Sequence, residues 1–356
     1  MPHIAGCRWP ITRECFERKI GQGVEVYNQC IESHRLLIPL SYSYKRHHKH
    51  KKVPQEANEA IKSIDREFLS QINYTRPDLH LKPRSFRLSP KNCSSHSRKL
   101  IILVFTKPDG FESRGILRQT WGNSAYLESL NSRLIFVTGL TDDPKVTEIL
   151  SQEFQHNGDI LQIDFYDSYY NLTLKTLSAL EWVSRHCKTP KFIAKIDDDN
   201  IVNIHNLFGG ALNVSRLFDR FILGYTYSDF KPVNTTGKRF DPVYEVLYNQ
   251  SYYPTFISGP GYVLTNNFLE ELLQSCRNKP FIHLEDVFVN GICAEDVEGV
   301  VKASMPGFYM RKLSACEMKT DGFILSHGFE LESRLYAWYN FSKSKPCDKS
   351  FHVQIF

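Results

Sequence analysis

Runs of apolar residues alternate with stretches in which apolar and polar residues are mixed, and the alternation predicts strands and helices in turn. The clearest run, Leu-Ile-Ile-Leu-Val-Phe at 100–105, is typical of a strand that is buried on both faces. Further strands are predicted at 133–139, 160–163 and 192–196, and helices at 114–121, 145–154 and 172–186. Strands that alternate with helices favour an α/β domain with a mostly parallel sheet.

Residues 1–98 have a different composition, rich in charge and proline. Only the stretch 56–72 places several apolar residues on one helical face, and it predicts one helix. We interpret residues 1–98 as a poorly ordered stem or linker, residues 99–345 as the catalytic domain and residues 346–356 as a C-terminal tail. The predicted fold class is α/β, with a Rossmann-type, mostly parallel sheet flanked by helices.

The positive charge of the chain is concentrated near its start. Residues 1–99 contain 19 Lys and Arg against 9 Asp and Glu, which leaves 25 basic and 30 acidic residues in the remainder. A slightly acidic body argues against a nucleic-acid-binding protein, because phosphate contacts need basic residues on the binding face. The basic run at 45–52 is interpreted as a solvated linker rather than as a nuclear or polyanion-binding segment.

Cysteines and glycosylation sequons indicate the secretory pathway. None of the nine cysteines forms a Cys-x-x-Cys pair, which argues against zinc-ribbon and thioredoxin-like sites. Six of them suit three disulfides: Cys93, Cys187, Cys276, Cys293, Cys316 and Cys347. Seven Asn-x-Ser/Thr sequons begin at Asn73, Asn92, Asn171, Asn213, Asn234, Asn249 and Asn340. Near the start of the sequence we find neither a signal peptide nor a stretch of about 20 apolar residues that would span a membrane.

Three consecutive aspartates follow the strand predicted at 192–196. Asp197, Asp198 and Asp199 would lie at the carboxyl end of a parallel strand, the edge at which open α/β sheets bind ligands. Their mutual repulsion is relieved by a hard divalent cation such as Mg²⁺ or Mn²⁺. Because residues i and i+2 lie on one side of an extended chain, Asp197 and Asp199 are the predicted pair. The alternative is a solvated acidic turn or a helix cap.

Five segments, in order, resemble the motifs of one enzyme family. They are Arg-Gly-Ile-Leu-Arg-Gln-Thr-Trp-Gly at 114–122, Tyr-Asn-Leu-Thr-Leu-Lys-Thr at 170–176, Lys-Ile-Asp-Asp-Asp at 195–199, Tyr-Pro-Thr-Phe-Ile-Ser-Gly-Pro-Gly-Tyr at 253–262 and Glu-Asp-Val-Phe-Val-Asn-Gly at 285–291. Between residues 99 and 340 the chain resembles the β-1,3-galactosyltransferases and β-1,3-N-acetylglucosaminyltransferases of glycosyltransferase family 31. It departs from the family pattern at Leu117, where the family has Ile, and at Phe256, where the family has Tyr. The resemblance implies a GT-A-like fold and an inverting reaction with a UDP-sugar.

The resemblance implies donor-binding roles for Arg114, Arg118, Lys175, Lys195, Asp197, Gly259 and Gly261. Basic side chains would offset the charge that develops on a UDP leaving group, and glycines would let the backbone approach a sugar. On the residues alone, Arg114, Arg118 and Lys175 are better explained as charges on helix surfaces. Trp121 is expected in the core rather than as a platform for a sugar ring.

A metal site and a catalytic base follow from the same resemblance. Asp199 would bind the metal, and His327, at the end of an apolar run, is the candidate for a further ligand. An imidazole ligand favours Mn²⁺ over Mg²⁺. Asp286 would be the general base that takes the proton of the acceptor hydroxyl, kept ionised by the N-terminus of a helix running to Ile292. The alternative is that Asp286 only caps that helix.

The sequence therefore predicts a hexosyltransferase that moves galactose or an N-acetylhexosamine from a UDP-sugar to a glycan acceptor in β-1,3 linkage. The expected location is the Golgi lumen, with membrane contact only through an anchor outside this sequence and with no nucleic-acid partner. Two alternatives are a catalytically silent chaperone or glycan-binding protein and a cytosolic metal-dependent phosphodiesterase. The intact aspartates argue against the first, and the lack of a second cluster of His and Asp argues against the second.

Overall fold

The computed structural model describes residues 85–91, 93, 98–233, 238–241 and 243–343. Its strands are β1 (Phe86–Leu88), β2 (Leu100–Phe105), β3 (Ser132–Leu140), β4 (Ile160–Tyr166), β5 (Phe192–Asp197), β6 (Ile201–Val202), β7 (Phe221–Tyr227), β8 (Phe256–Thr265), β9 (Val301–Ser304), β10 (Phe308–Tyr309) and β11 (Leu325–Ser326). Within the described residues, eight strands form one sheet in the order β1-β4-β3-β2-β5-β8-β7-β9, and a small sheet has the order β10-β11-β6.

Helices cover both faces of the large sheet. They are α1 (Phe111–Gln119), α2 (Ser124–Ser129), α3 (Pro144–Asn157), α4 (Leu172–His186), α5 (Ile204–Val214), α6 (Tyr244–Tyr248), α7 (Leu269–Arg277), α8 (Ala315–Met318) and α9 (Leu331–Ser342), together with a π-helix at Val287–Cys293 and 3₁₀ turns at Tyr169–Asn171 and Asn266–Phe268. The strands β2 to β5 run parallel to one another, while β8 is antiparallel to its neighbours β5 and β7. The predicted fold class, α/β with a mostly parallel sheet, is confirmed.

Most predicted elements lie close to the observed ones, and α4 has the predicted bounds. The helix predicted at 114–121 begins earlier, at Phe111, and ends at Gln119. The chain turns out of this helix at Thr120, and the Gly122 amide then bonds back to the Leu117 carbonyl at 3.0 Å. The helix predicted from Asp286 to Ile292 is instead the wider π-helix.

The central strand β2 supplies both hydrophobic cores. Ile101, Leu103 and Phe105 pack into one core, and the intervening residues of the strand pack into the other, because successive side chains point to opposite faces. Trp121 is 1% exposed, and its indole N–H donates a hydrogen bond to the Asn200 carbonyl at 3.0 Å. Trp121 is therefore a core residue, as predicted.

Disulfides hold the edges of the domain. Cys93 is bonded to Cys187, Cys276 to Cys293, and Cys316 is also disulfide-bonded. Cys347 lies outside the described residues. Two of the expected disulfides are thus identified with their partners, and the oxidised state predicted for Cys187, Cys276, Cys293 and Cys316 is confirmed.

The sheet begins before the predicted domain boundary at residue 99. The short β1 pairs antiparallel with β4, and the disulfide of Cys93 lies in the same region. An edge strand of three residues without an apolar run leaves no periodic signal in the sequence. The helix predicted at 56–72 and the tail at 346–356 lie outside the described residues. No helix of the part that is described has both the length and the hydrophobicity to cross a bilayer.

Candidate active site

The three aspartates at positions 197–199 lie at the point where the strand order of the sheet reverses. From β2 the chain proceeds outward through β3 and β4, and then returns to pair β5 with the other side of β2. Open α/β sheets bind ligands in the crevice outside the carboxyl ends of the strands at such a point. Asp197 pairs with Phe105, and the Asp198 amide donates a hydrogen bond to the Phe105 carbonyl at 3.2 Å. The end of β2 therefore fixes the backbone of the acidic segment.

The middle aspartate, Asp198, is half-buried and has hydrogen-bond partners within the protein. Asp198 Oδ2 accepts a hydrogen bond from Ser113 Oγ at 2.7 Å, and Ser113 Oγ accepts one from Arg334 at 2.5 Å. The same arginine donates to the Phe329 carbonyl at 3.1 Å. Asp198 thus links β5 to α1 and α9. The motif alone gave no indication that Ser113 and Arg334 are its partners, because they come from elements distant in sequence.

Asp199 approaches His327, 128 positions later in the chain. β11 pairs antiparallel with β6, which follows the aspartates, and this pairing brings the two side chains together. Asp199 Oδ1 and His327 Nδ1 lie 3.2 Å apart, yet neither of these buried atoms makes a hydrogen bond of acceptable geometry. A carboxylate oxygen and an imidazole nitrogen that are both left unsatisfied fit two ligands of one divalent cation. In the described residues no group of three or more His, Cys, Asp or Glu side chains could hold a metal ion.

Lys195 connects Asp197 to the neighbouring strand β8. Its Nζ donates hydrogen bonds to Asp197 Oδ1 and to the Gly259 carbonyl, both at 2.6 Å, and lies 3.7 Å from Glu285 Oε2. Burial disfavours the ammonium form, but the carboxylates of Asp197 and Glu285 outweigh burial and raise the pKa of Lys195. The buried ammonium group of Lys195 therefore places a fixed positive charge next to Asp197. It is directed at Asp197 and not at the open crevice.

Asp286 lies on the other side of Gly259, at the start of the π-helix. Its Oδ2 accepts a hydrogen bond from the Gly259 amide at 2.9 Å, and its Oδ1 accepts one from the Val287 amide at 2.9 Å. The side chain is partly exposed. Burial raises the pKa of the Asp286 carboxyl, and the two backbone donors and Lys195 oppose this effect without cancelling it. The helix terminus was expected to favour the ionised form; the structure shows that loss of hydration is the larger influence.

The two glycines of β8 have different surroundings. A Cβ atom on Gly259 would lie 3.2 Å from Asp286 Oδ2, so the missing side chain permits the close contact with the carboxylate. A Cβ atom on Gly261 would lie 2.3 Å from Leu325 Cδ1. Gly261 is therefore required by packing against β11, which differs from the donor contact predicted for it.

The two arginines of α1 have internal partners. Arg114, whose side chain is 0% exposed, pairs with Glu153 at 2.6 Å and donates to the Lys107 carbonyl at 2.7 Å. Arg118 pairs with Glu153 at 2.7 Å and with Asp159 at 2.8 Å. A buried guanidinium is stable only when it is paired in this way. Arg114 therefore holds the loop after β2, and Arg118 holds α1 against α3 and β4, while their contact with a donor stays a prediction.

Lys175 has a similar internal position on α4. Its Nζ donates hydrogen bonds to the Thr106 carbonyl at 2.8 Å and to Asp167 Oδ2 at 2.7 Å, and its side chain is 3% exposed. Lys175 therefore ties α4 to the loops that follow β2 and β4, at the edge of the crevice. Lys175 thus has an ion pair within the protein, and its contact with a donor stays a prediction.

Glu285 was part of a recognised motif but had no predicted role. It is 5% exposed, and it accepts a hydrogen bond from the Tyr262 hydroxyl at 2.7 Å. Burial raises the pKa of Glu285 to about 7, while the nearby Lys195 opposes the rise. Glu285 and Tyr262 thus form a buried polar group beneath Lys195, next to the residue proposed as base.

Comparisons with known proteins agree with this arrangement. A profile described as Galactosyltransferase matches residues 112–305. β-1,3-Galactosyltransferase 1 of Mus musculus and of Homo sapiens is 31% identical to the chain over 275 residues, which cover 76% of this chain and 82% of the relative. β-1,3-Galactosyltransferase 5 of Homo sapiens is 34% identical over 209 residues, 59% of this chain and 66% of the relative.

Among solved structures, a glycosyltransferase involved in the glycosylation of the major capsid of PBCV-1 aligns with 68% of this chain and 98% of its own, at 9% identity and a TM-score of 0.37. A likeness at this level adds no argument about function. The profile match and the identity to the two β-1,3-galactosyltransferases confirm the predicted family and support glycosyl transfer as the function. The chain belongs to the galactosyltransferase family.

Proposed function

We propose that the enzyme transfers galactose or an N-acetylhexosamine from a UDP-sugar to an acceptor hydroxyl, with inversion at the anomeric carbon. One observation supports this most strongly: Asp286 and the acidic segment are connected to opposite backbone groups of one residue, Gly259. The Gly259 amide bonds to Asp286, and the Gly259 carbonyl accepts from Lys195, which holds Asp197. Among the possible donors, the names of the relatives favour UDP-galactose, and they favour a β-1,3 linkage.

In this proposal Asp286 removes the proton of the acceptor hydroxyl. Each of its oxygens accepts one backbone hydrogen bond and keeps a second lone pair, so the carboxylate is oriented and can still accept a proton. A pKa raised by burial makes the carboxylate a stronger base than an ordinary aspartate. The deprotonated acceptor oxygen then attacks the anomeric carbon from the face opposite UDP, as inversion requires.

On the donor side, Asp199 and His327 would hold the cation, proposed to be Mn²⁺. When bound, the cation supplies charge that offsets the negative charge developing on the diphosphate. With two ligands from the protein, its coordination is left open to diphosphate oxygens and water. Asp197 is proposed to contact the ribose or the sugar, and the buried ammonium of Lys195 keeps that carboxylate in place.

The internal ion pairs of α1 and α4 contribute indirectly to this proposal. Arg114 donates to the carbonyls of Lys107 and Pro108, and Lys175 donates to the carbonyl of Thr106. All three carbonyls belong to the loop that follows β2 at the carboxyl edge of the sheet. Arg114 and Lys175 are therefore proposed to position the wall of the donor crevice rather than to contact the donor.

The proposed location is the lumen of the Golgi apparatus. Disulfides persist in oxidising compartments and are rare in the cytosol. The described residues contain two disulfides with both partners and a further oxidised cysteine at Cys316. An exposed sequon at Asn249 agrees with a lumenal enzyme.

A donor screen tests the proposal. UDP release is measured from UDP-galactose, UDP-N-acetylglucosamine and UDP-N-acetylgalactosamine, with Mn²⁺ and a panel of acceptor glycosides. Reactions without acceptor measure hydrolysis, and Asp286→Asn measures transfer that does not need the base. Acceptor-dependent release from one donor, lost in the variant, is the expected result. Metal-dependent UDP binding without release from any donor would contradict the proposal and favour a silent glycan-binding protein.

A further inference from the structure

Two tyrosines lie within electrostatic range of Asp286 and of one arginine. Tyr169 precedes α4, Tyr227 ends β7, and Arg239 is an exposed residue of the segment 238–241. The Tyr169 hydroxyl interacts with the Arg239 guanidinium and lies within electrostatic range of Asp286 and, more weakly, of Asp197. Tyr227 is in turn influenced by both Arg239 and Asp286. Three elements distant in sequence therefore bring aromatic and basic side chains to the neighbourhood of the proposed base.

Tyr227 belongs to an aromatic cluster that reaches the surface. Its ring centroid lies 5.2 Å from that of Tyr225, 5.5 Å from that of Phe230 and 5.4 Å from that of Phe256. Tyr225 is 41% exposed and Phe230 is 37% exposed. Aromatic rings combine an apolar face with, in tyrosine, a polar tip. The C–H face of a sugar ring can pack on the apolar faces while its hydroxyls remain solvated.

The same surface has basic side chains that lack acidic partners. Lys231, Lys238 and Arg239 are exposed, and none of them forms an ion pair with a carboxylate of the described residues. Lys231 Nζ lies 5.0 Å from the centroid of Tyr252, and Lys238 Nζ lies 5.5 Å from that of Tyr169. The positive charge of this surface contrasts with the internal ion pairs of α1 and α4.

We propose that the acceptor is an anionic glycan: Arg239 and Lys238 bind a carboxylate or sulfate group of the acceptor, while Tyr169 and Tyr227 hold the sugar ring beside Asp286. The inference rests on the proposed function and names its acceptor class. A guanidinium can bind either anion through two parallel hydrogen bonds, which gives Arg239 the orienting role. An acceptor bound in this way presents a neighbouring hydroxyl to the base.

In this arrangement the positive charges of Arg239 and Lys238 do not bind the donor diphosphate. Asp199 and His327, the proposed cation ligands, pair with each other beside Asp197, whereas Arg239 interacts with Tyr169, on which Asp286 acts more strongly than Asp197. Loss of the Arg239 charge is therefore expected to change recognition of the acceptor and to leave recognition of UDP unchanged. This separation makes the inference testable.

The test compares acceptors that share one aglycone and differ in one group: a neutral galactoside, the same glycoside with a uronic acid, and its sulfated form. The wild-type protein should have a KM about 10-fold lower for one of the charged acceptors, in line with the strength of charge-assisted hydrogen bonds. Arg239→Gln and Lys238→Gln should remove this preference, Arg239→Lys should restore part of it, and UDP affinity should stay constant. Arg216→Gln is the matched control, because Arg216 is exposed after α5 and has no ion pair in the described residues.

Equal KM values for neutral and charged acceptors, unchanged in Arg239→Gln, would overturn the inference. Weaker UDP binding in Arg239→Gln would overturn it too, and would assign the arginine to the donor. If no acceptor is glycosylated, the proposed function fails, and calorimetric titration of the charged and neutral glycosides into the UDP complex still tests the inference. Binding of charged glycosides that Arg239→Gln abolishes would support it; binding of neither would contradict it.

Discussion

The backbone amide of Gly259 donates a hydrogen bond to Asp286 Oδ2 at 2.9 Å, and no side chain separates the two residues. The carbonyl of Gly259 accepts from Lys195, which also holds Asp197. The backbone of a single residue, Gly259, thus sets the distance between the proposed base and the proposed donor site. The proposed reaction depends on that distance, since a displacement of about 1 Å can cost about 100-fold in rate.

Replacing Asp286 with Asn should abolish transfer and spare the fold. The amide keeps the shape of the side chain but accepts no proton, so turnover should fall by about 10²- to 10⁴-fold. The amide oxygen can accept only one of the two backbone hydrogen bonds, and loss of the other should cost about 1 kcal/mol of folding free energy. Turnover, melting temperature and UDP affinity are measured on one purified preparation.

Asp296→Asn is a suitable control for this variant, because Asp296 is exposed and its one ion pair within the described residues is with Lys279 at the surface. It should keep full turnover. If Asp286→Asn keeps near-normal turnover, or loses turnover only in proportion to its stability, Asp286 is a capping residue and the base is another group.

The pH dependence of transfer should reveal the raised pKa of Asp286. Burial shifts this pKa above the usual range of an aspartate, so the group is protonated, and inactive as a base, at pH values where an exposed aspartate is ionised. The value of kcat/KM should therefore fall on the acidic side with a midpoint above about 4. An acidic limb whose midpoint is the ordinary pKa of an aspartate would contradict the assignment to Asp286. An acidic limb that persists in the residual activity of Asp286→Asn would contradict it as well.

Metal-dependent binding of UDP should require Asp199. Asp199→Asn removes the negative charge that offsets the charge of the cation. Within the described residues, no other carboxylate is in direct contact with the His327 imidazole. Calorimetry with and without Mn²⁺ should show that UDP affinity no longer depends on the metal. Asp198→Asn is the adjacent control, because its amide oxygen can still accept from Ser113. An unchanged metal dependence in Asp199→Asn would refute the ligand assignment.

A methyl group on Gly259 should displace the base. The added Cβ atom would lie 3.2 Å from Asp286 Oδ2, so Gly259→Ala should lower kcat by about 10-fold or more while UDP binding changes little. Gly209→Ala in α5 meets no atom within 4 Å and should stabilise the helix by about 0.5–1 kcal/mol with full activity. Full activity of Gly259→Ala would show that the contact with Asp286 is not needed for catalysis.

The disulfides should differ in their contribution to stability. Cys93 and Cys187 are 94 residues apart, whereas Cys276 and Cys293 are 17 apart. Loop-closure entropy predicts a loss of about 3 kcal/mol when the shorter loop is opened by double serine substitution and about 4.7 kcal/mol for the longer one. Urea denaturation measures both. Mass mapping should in addition find Cys316 and Cys347 oxidised, and free thiols there would contradict the lumenal location.

Much of this protein is determined by local sequence. The run of β2 is buried on both faces because all of its residues are apolar, and α4 begins and ends at the residues that its sequence predicts. The acidic segment follows its strand directly, so its place at the carboxyl edge of the sheet could be predicted from one stretch of chain. The motifs of the family lie on these same elements, and they identified the family without the structure.

Other features were decided only by tertiary structure, because they depend on contacts between residues far apart in the chain. The sequence could not show that the guanidinium of Arg114 forms an ion pair with Glu153, or that Leu325 leaves no room for a side chain at Gly261. Nor could it show that the pairing of β11 brings His327 close to Asp199. The family resemblance suggested donor contacts for Arg114 and Gly261, but burial decides whether a charge must be paired internally and whether a glycine is needed for packing. The convergence of Tyr169, Tyr227 and Arg239 on Asp286 likewise exists only in the folded chain, since three separate elements supply these side chains.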